Sequence, residues 1–315
     1  MTDSDISRPR RTLVATGAVV AALSVTIASC TVDVRFGMER AGAETTTLTP
    51  AAATTVTSTP ETGVRHLLAA EIAEAPLILD EDFSGYALDT SVWNTCHWWD
   101  DGGCTIASND ELEWYLPSQV AVRDGALELT AERRDVVGAD GTTFPYTSGM
   151  VTTGPPVHDG LAKLAFTYGA VEVEFRAPLG AGLWPAIWML PASENSKPEI
   201  DMFEAVGQRP DQVSMFFHPK IDPDRNVSHT RVYLPEGQTL ADPHVVRLEW
   251  SPGLMDFYLD GEKVWQVTGA QVPDEPMYLV MNLAVGGVFG GTPDPSAFPA
   301  TFSIDHVRIW SGGTQ

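Results

Sequence analysis

Positive charge and cysteine are both scarce in this sequence, and each shortage excludes a class of protein. The 315 residues include 19 Lys and Arg against 42 Asp and Glu, which gives a formal net charge of -23. Proteins that bind nucleic acid use clustered Lys and Arg side chains to displace counterions, so we expect no nucleic-acid partner. The same negative field disfavours polyanionic glycans as substrates. Three cysteines are too few for a disulfide-built scaffold or a cysteine-rich zinc module.

A sustained helical period is also lacking, whereas short runs of alternating apolar and polar residues recur after residue 76. Val171, Val173 and Phe175 alternate with charged residues, and the run Leu254–Leu259 follows a turn that contains Pro252. Alternation with period two is typical of half-buried β-strands. The pattern predicts one all-β domain over residues 77–312, either a sandwich or a barrel, and we favour two antiparallel sheets with a concave face.

The N-terminus has the pattern of an export signal. Arg10 and Arg11 precede an uncharged apolar run over residues 13–29, which is short for a membrane-spanning helix. The segment Ile27–Cys30 resembles a bacterial lipobox, in which the cysteine is lipidated; an ordinary signal peptide with an incidental cysteine is the alternative. We predict a signal peptide over residues 1–30 and lipidation of Cys30.

This signal defines where the protein is expected. A lipidated Cys30 would hold it at the outer face of the cytoplasmic membrane, with no membrane contact except this anchor, and without lipidation the protein would be secreted. Residues 31–76 are rich in Thr, Ala and Pro and carry no hydrophobic period. This composition predicts a flexible linker between the anchor and the β domain.

Cys96 and Cys104 lie close together in the sequence, on either side of a polar, glycine-containing segment. In an exported protein two such cysteines are expected to form a disulfide, and two free buried thiols are the alternative. Because the closed loop is short, the stabilisation should lie near the lower end of about 2–4 kcal/mol. We expect this loop at the rim of a cleft, with Trp98 and Trp99 displayed beside it.

The most informative segment is a predicted strand that begins at Glu199. Strict alternation places Glu199 and Asp201 on one face but turns Glu204 toward the core with Ile200. Burying an unpaired carboxylate there would be costly. One extra residue, a β-bulge near Met202, would return Glu204 to the outer face. The sequence therefore predicts three carboxylates on one face of a bulged strand.

Three neighbouring carboxylates suit a glycosidase. Like charges at short range raise at least one pKa, and a glycosidase needs one ionised and one protonated carboxyl group. Upstream, Trp184 and Trp188 share one strand face, where their rings could stack on sugars. A solvated acidic edge and two core tryptophans are the alternative interpretation.

The carboxylate segment also resembles the active-site signature E-x-D-x-x-E of glycoside hydrolase family 16, in the bulged form of its laminarinase-like branch. Further segments resemble that family in the same order and extend the resemblance over residues 80–310. They are DEDFSG at 80–85, NDELEWY at 109–115, YGAVEVEFRAP at 168–178, WPAIWMLP at 184–191, MNLAVGG at 281–287 and SIDHVRIW at 303–310.

This resemblance implies a β-jelly-roll sandwich of the concanavalin A-like type, with a sugar-binding cleft across its concave face. It implies retention by double displacement, with Glu199 as nucleophile, Glu204 as acid/base, and Asp201 tuning the protonation of Glu199. The family's positions around the cleft map onto Trp184, Trp188, Asn109, Glu111 and Glu172, and His218, one strand after the signature, is a further candidate sugar contact. For His218, a purely structural role is the alternative.

The resemblance implies no cofactor for catalysis but allows a structural calcium ion. Its ligands would be the side chain of Asp305 and backbone oxygens of Asp82 and Gly125. We expect a monomeric endo-hydrolase whose partner is a neutral polysaccharide, with β-1,3-glucan as the first candidate. Mixed-linkage glucan or galactan hydrolysis and cell-surface transglycosylation are alternatives. A lectin-like binder is disfavoured, because binding alone does not need the three carboxylates.

Overall fold

Two antiparallel sheets packed face to face make up most of the structure, a computed structural model that describes residues 75–98, 104–139, 141–221 and 227–311. The predicted signal peptide, Cys30, the linker and Trp99 lie outside the described residues, so export and lipidation stay predictions. Among the described residues, no helix is long and apolar enough to cross a membrane.

Eighteen strands form the described part of the chain, with one short helix, α1, at Gly287–Gly290 and three single 3₁₀ turns at Ala107–Asn109, Pro117–Gln119 and Pro295–Ala297. The strands are β1 Leu77–Glu81, β2 Glu113–Tyr115, β3 Val120–Arg123, β4 Ala126–Ala131, β5 Val136–Val137, β6 Thr143–Phe144, β7 Tyr146–Ser148, β8 Met150–Thr152, β9 Gly169–Arg176, β10 Leu183–Pro191, β11 Glu199–Glu204, β12 Gln212–His218, β13 Ser228–Tyr233, β14 His244–Ser251, β15 Leu254–Leu259, β16 Glu262–Thr268, β17 Met277–Val285 and β18 Ala300–Ser311.

The two large sheets have eight and six strands. The eight-stranded sheet runs β16-β15-β14-β9-β18-β4-β3, with β1 also paired to β18. The six-stranded sheet runs β13-β12-β11-β10-β17-β8. Two small pairs complete the described structure, a parallel pair of β2 with β7 and an antiparallel pair of β5 with β6. The all-β sandwich predicted from the alternating pattern is confirmed.

The core lies between the two large sheets and is built by the alternation seen in the sequence. Val171, Val173 and Phe175 on β9 are at most 1% exposed. The ring of Phe175 lies 4.4 Å from that of Phe203 on β11, which joins the two sheets at the centre of the core. Rings packed this way add stabilisation beyond the apolar area that they bury. The core therefore holds β11, the strand of the three carboxylates, against the other sheet.

A second apolar cluster covers part of the outer face of the six-stranded sheet. Trp188 and Tyr278 point outward from β10 and β17 and pack against Ile106 and Tyr115 of the segment that follows the disulfide loop. This segment leaves the outer face of β11 and β12 open. It thereby forms one wall of a cleft whose floor is the six-stranded sheet.

The predicted disulfide between Cys96 and Cys104 is present, with its Cα atoms 5.2 Å apart. Trp98, expected on display at the cleft rim, is instead half-buried beside the second apolar cluster. Its indole N–H donates to the hydroxyl of Tyr278 at 2.8 Å, and its ring meets that of His158 edge-on. Trp98 is thus tied to the sheet through Tyr278.

We predict that the Cys96→Ser, Cys104→Ser double variant lowers the free energy of unfolding by about 2 kcal/mol, because the unfolded chain loses a crosslink. Urea denaturation followed by tryptophan fluorescence measures this change. Adding reductant to the wild type should reproduce it, and should leave the double variant unchanged. Equal stability of the two proteins, or two alkylatable thiols in unreduced wild type, would contradict the prediction.

Candidate active site

Strand β11 carries the predicted β-bulge. On the neighbouring β10, Trp188 lies opposite Asp201 and Ile187 lies opposite Phe203, so Met202 is the extra residue. Pairing with β12 shows the same shift, between Asp201 and Glu204. The bulge lets Met202 and Phe203 both enter the core and returns Glu204 to the face of Glu199 and Asp201.

The three carboxylates line an open cavity of about 420 Å³ on the outer face of the six-stranded sheet. The structure brings most of the sequence-predicted site residues to this cavity: Glu199, Asp201, Glu204, Trp184, Trp188, Asn109, Glu111 and His218. It adds residues that the sequence did not single out: Lys197, Phe216, Asn282 and Phe289.

Glu204 is set up as a proton donor. Burial and the negative charge of Asp201 raise the pKa of Glu204 well above its ordinary value. The indole N–H of Trp184 donates to its Oε1 at 2.8 Å, a hydrogen bond that opposes this rise but does not cancel it. Because Oε1 accepts this bond, Oε2 is the oxygen left to carry the proton.

The pKa of Glu199 is raised as well, but its neighbours favour its ionised form. Burial and the charge of Asp201 raise its pKa to about 7, while Lys197 and His218 oppose the rise. The Nζ of Lys197 lies 2.7 Å from Oε2 of Glu199. Glu199 and Glu204 therefore differ in their partners, with a lysine beside the first and an indole N–H beside the second. This difference favours an ionised Glu199 together with a protonated Glu204.

Asp201 and His218 form a pair between the two glutamates and the cleft edge. Nε2 of His218 lies 3.3 Å from Oδ2 of Asp201 and 3.6 Å from Oε1 of Glu199. Burial lowers the pKa of His218, but its hydrogen bond to Asp201 and the charges of Asp201 and Glu199 outweigh burial and raise it. His218 thus shares the charge of both carboxylates.

Aromatic rings form a wall of the cavity. The ring of Trp184 lies 5.2 Å from that of Phe289 in α1, and Phe289 meets Phe216 edge-on at 5.9 Å. Sugar rings present apolar faces of C–H groups that stack on such surfaces. Because this wall adjoins the carboxylates, a stacked sugar would lie next to them.

A buried pair of carboxyl groups, Glu111 and Glu113, lies beside the cavity, and Glu111 contributes to its lining. Glu111 accepts from Nδ2 of Asn109 at 3.0 Å and from the hydroxyl of Tyr115 at 3.2 Å. Glu113 is fully buried and accepts from the backbone N–H of Val285 at 2.7 Å. Burial and the neighbouring Glu113 raise the pKa of Glu111 well above its ordinary value, and burial also raises that of Glu113. Burial therefore favours the protonated form of both carboxyl groups.

This carboxyl pair connects to the cleft floor through a chain of hydrogen bonds. Nδ2 of Asn282 donates to the hydroxyl of Tyr115 at 2.9 Å, and Nε1 of Trp188 donates to Oδ1 of Asn282 at 2.7 Å. Trp188 is only 7% exposed, so it belongs to the second apolar cluster as well as to the cavity lining. The chain fixes the orientation of its indole in the cavity lining.

The comparisons with known proteins agree with this geometry. The sequence profile of glycosyl hydrolases family 16 matches residues 108–308. This chain belongs to glycosyl hydrolase family 16.

Individual relatives extend the likeness over most of the described domain. An alignment of 273 residues that covers 76% of this chain is 36% identical to Glucan endo-1,3-beta-glucosidase A1 of Niallia circulans. An alignment of 248 residues that covers 73% of this chain is 29% identical to Endo-1,3-1,4-beta-glycanase EglC of Rhizobium meliloti. The chain spans only 38% and 50% of those relatives' own lengths. The laminarinase catalytic domain of Thermotoga maritima superposes with a TM-score of 0.68 at 28% identity, covering 76% of this chain and 99% of that one.

Glu172, expected among the sugar contacts of this family 16 cleft, lies on the opposite side of the sandwich. It points outward from β9 in the eight-stranded sheet, where Arg308 and Arg247 bind its two carboxylate oxygens at 2.8 and 3.1 Å. Alternation along β9 correctly gave an outward direction. The alternation does not predict which sheet β9 joins, and β9 lies in the sheet remote from the cleft.

The calcium site implied by the family 16 resemblance is poorly matched by the side chains. The carboxylate of Asp305 is paired with the guanidinium of Arg176, and that of Asp82 accepts from the backbone N–H of Ser84 at 3.0 Å. A calcium ion would have to compete with Arg176 for the one proposed side-chain ligand. Binding of a calcium ion here stays a prediction.

Two other groups of side chains could hold a metal ion by distance alone. Glu199, Asp201 and His218 place one ligand atom each within 4.8 Å of one another, but Lys197 already neutralises Glu199 there. The second group, at residues 158, 159 and 194, is largely solvent-exposed. We assign a metal to neither.

We predict that Glu113→Gln removes part of the loss of stability at alkaline pH. The raised pKa values of Glu111 and Glu113 mean that their protonation stabilises the fold at acidic pH, and this contribution is lost as pH rises through those values. A glutamine keeps the acceptor for Val285 and donates to Glu111. The melting temperature of the variant, relative to wild type, should therefore rise between pH 5 and pH 9.

Glu113→Leu is the matched control for this prediction. It also removes the titrating carboxyl group, so its stability should change with pH as that of Glu113→Gln does, but it leaves the N–H of Val285 buried without its acceptor and should lie roughly 1–3 kcal/mol lower at every pH. If Glu113→Gln followed the wild-type pH dependence throughout, the carboxyl pair would not share a proton.

Proposed function

We propose that this chain is a retaining, endo-acting hydrolase of a neutral β-glucan, with β-1,3-glucan as its principal substrate. The observation that carries the proposal is the bulge in β11, which places Glu199 and Glu204 on one face of an open cleft with different partners. An open groove lined by aromatic rings accepts the interior of a polysaccharide, as endo action requires.

Hydrolysis proceeds in two steps on these residues. Glu204 donates the proton on Oε2 to the glycosidic oxygen, while the carboxylate of Glu199 attacks the anomeric carbon and the glycosidic C–O bond breaks. Glu204, now ionised, takes a proton from water, and the hydroxide oxygen displaces Glu199 from the anomeric carbon. Glu204 is protonated again and Glu199 is ionised again, so the enzyme returns to its starting state.

Asp201 and the aromatic wall support both steps. Asp201 is 3% exposed and raises the pKa of both glutamates, which prevents both from ionising together. The N–H of Trp184 remains bound to Oε1 of Glu204 in either protonation state and keeps the acid/base group aimed at the cleavage point.

The substrate follows from charge and from the relatives. A net charge of -23 disfavours polyanionic chains, which leaves neutral glucans as the better match. The Niallia circulans relative is named for endo-1,3-β-glucosidase activity, which supports β-1,3-glucan. The Rhizobium meliloti relative is named for both 1,3 and 1,4 linkages, which supports mixed-linkage glucan as the second candidate.

A panel of neutral polysaccharides tests the substrate. Laminarin, mixed-linkage β-glucan, cellulose and agarose would each be incubated with enzyme, and the products sized over time. We expect laminarin to give a ladder of oligosaccharides early, with slower release from mixed-linkage glucan. Products longer than laminarin's own chains would instead indicate transglycosylation, and action on agarose alone would contradict the proposal.

We predict that proton NMR during the first minutes of reaction shows a β-configured product, because two displacements restore the starting configuration. Glu199→Ala with azide should give an α-configured glycosyl azide, whereas Glu204→Ala with azide and an activated aryl glycoside should give the β form. An initial α product from wild type would contradict retention. Swapped azide products would exchange the roles of the two glutamates.

A further inference from the structure

Lys197 occupies a position that the three-carboxylate mechanism leaves unused. It lies in the loop between β10 and β11, and its side chain is 24% exposed at the edge of the cavity. Its Nζ contacts Oε2 of Glu199 at 2.7 Å, within the range of a strong, charge-assisted hydrogen bond. The lysine therefore binds one of the two carboxylate oxygens of Glu199, the proposed nucleophile.

The charges that face Glu199 come from four elements. Asp201 and Glu204 share its strand, His218 reaches it from β12, and Tyr278 interacts with it from β17. Among these described groups Asp201 and Glu204 are acidic, and His218 is positive only when protonated. Lys197, in the loop before β11, is a permanent cation that opposes the negative field around Glu199.

We propose that Lys197 is a positioning residue that fixes Oε2 of Glu199 and leaves Oε1 as the oxygen that attacks the sugar. Oε1 faces His218 at 3.6 Å, beyond hydrogen-bond length, so it is the less engaged of the two oxygens. This assignment rests on the proposed retaining mechanism, in which Glu199 is the nucleophile.

The geometry gives Lys197 a part in both steps. When Oε1 bonds to the anomeric carbon, Oε2 becomes the carbonyl oxygen of the ester and still accepts from Nζ. When water cleaves that ester, the electron pair of the C–O bond returns to the carboxylate, and Lys197 stabilises the charge that develops on Oε2. Its cationic group thus stabilises Glu199 whenever Glu199 is an anion.

A purely structural ion pair is the competing explanation, and it makes a different prediction. Partly buried ion pairs contribute little net stability, because desolvation offsets their attraction. If Lys197 only braced the loop, its loss would change the melting temperature or lower activity equally at every pH. A positioning role instead changes the pH at which Glu199 ionises.

The test compares Lys197→Met, which keeps the length of the side chain without its charge, with Lys197→Arg, which keeps the charge. For wild type and both variants, kcat/KM for laminarin is measured across pH, and the carboxyl carbon of Glu199 is titrated by carbon-13 NMR. Glu199→Gln assigns that carbon signal. Lys197→Gln is a second neutral variant, in case the methionine variant does not fold.

In Lys197→Met, the acidic limb of the curve of kcat/KM against pH should move up by about one pH unit or more. The reason is that a nearby opposite charge lowers a carboxyl pKa by roughly 1–3 units. At a pH one unit below the wild-type limb, kcat/KM should then fall about tenfold, and the loss should shrink at higher pH. The alkaline limb should move less, because Lys197 is the smallest of the influences on Glu204. Lys197→Arg should restore the wild-type limb.

The two readouts separate failure of this inference from failure of the proposed function. An unchanged acidic limb and an unchanged carbon-13 titration in the neutral variant would overturn the role of Lys197, even if laminarin is hydrolysed. A shifted titration with no hydrolysis of any β-glucan would uphold the contact between Lys197 and Glu199 and overturn the proposed function.

Discussion

The placement of Glu204 constrains the rest of this structure. Strand β11 must send Ile200, Met202 and Phe203 into the core, yet also present Glu199, Asp201 and Glu204 to the cleft. Regular alternation cannot satisfy both demands, because the step from Asp201 to Glu204 spans an odd number of residues. The bulge at Met202 resolves the conflict, and pairing with β10 and β12 on both sides fixes where it lies.

The carboxyl groups on this buried face repel one another when ionised. Nearby cations, hydrogen bonds and retained protons reduce that repulsion. Lys197 and His218 favour the ionised form of Glu199, while burial and Asp201 keep Glu204 protonated. Beside the cavity, burial favours the protonated forms of Glu111 and Glu113, and Glu111 accepts a hydrogen bond from Tyr115. Burial therefore raises the pKa values of these glutamates, and the nearby cations and hydrogen-bond donors decide which glutamate ionises first.

Much of the fold and site could be predicted because its physical causes are local in sequence. Period-two alternation located the strands, and the cost of burying Glu204 predicted the bulge. Lys197 was missed because it lies in a loop just outside the alternating pattern, and Asn282 because it lies in a strand that otherwise reads as apolar. The motif NDELEWY places Glu113 two residues after Glu111, but no feature of the neighbouring sequence predicts that both are buried together.

Glu172 shows the limit of such reasoning. Its direction followed from alternation, but the sheet to which β9 belongs is decided by pairing with β14 and β18, more than seventy residues away along the chain. Contacts of that range depend on how the complete sandwich closes. The same holds for Phe289, which reaches the aromatic wall from a short helix that follows β17.

Trapping the covalent intermediate tests the central claim most directly. A 2-fluoro-β-laminaribiosyl fluoride with its good leaving group would be incubated with the enzyme, and the protein then digested and mapped by mass spectrometry. With Glu199 as the nucleophile, we predict one added glycosyl group per chain, on the peptide that contains Glu199. Labelling should be retained in Glu204→Gln and lost in Glu199→Gln. A label on Glu204, or labelling that survives Glu199→Gln, would contradict it.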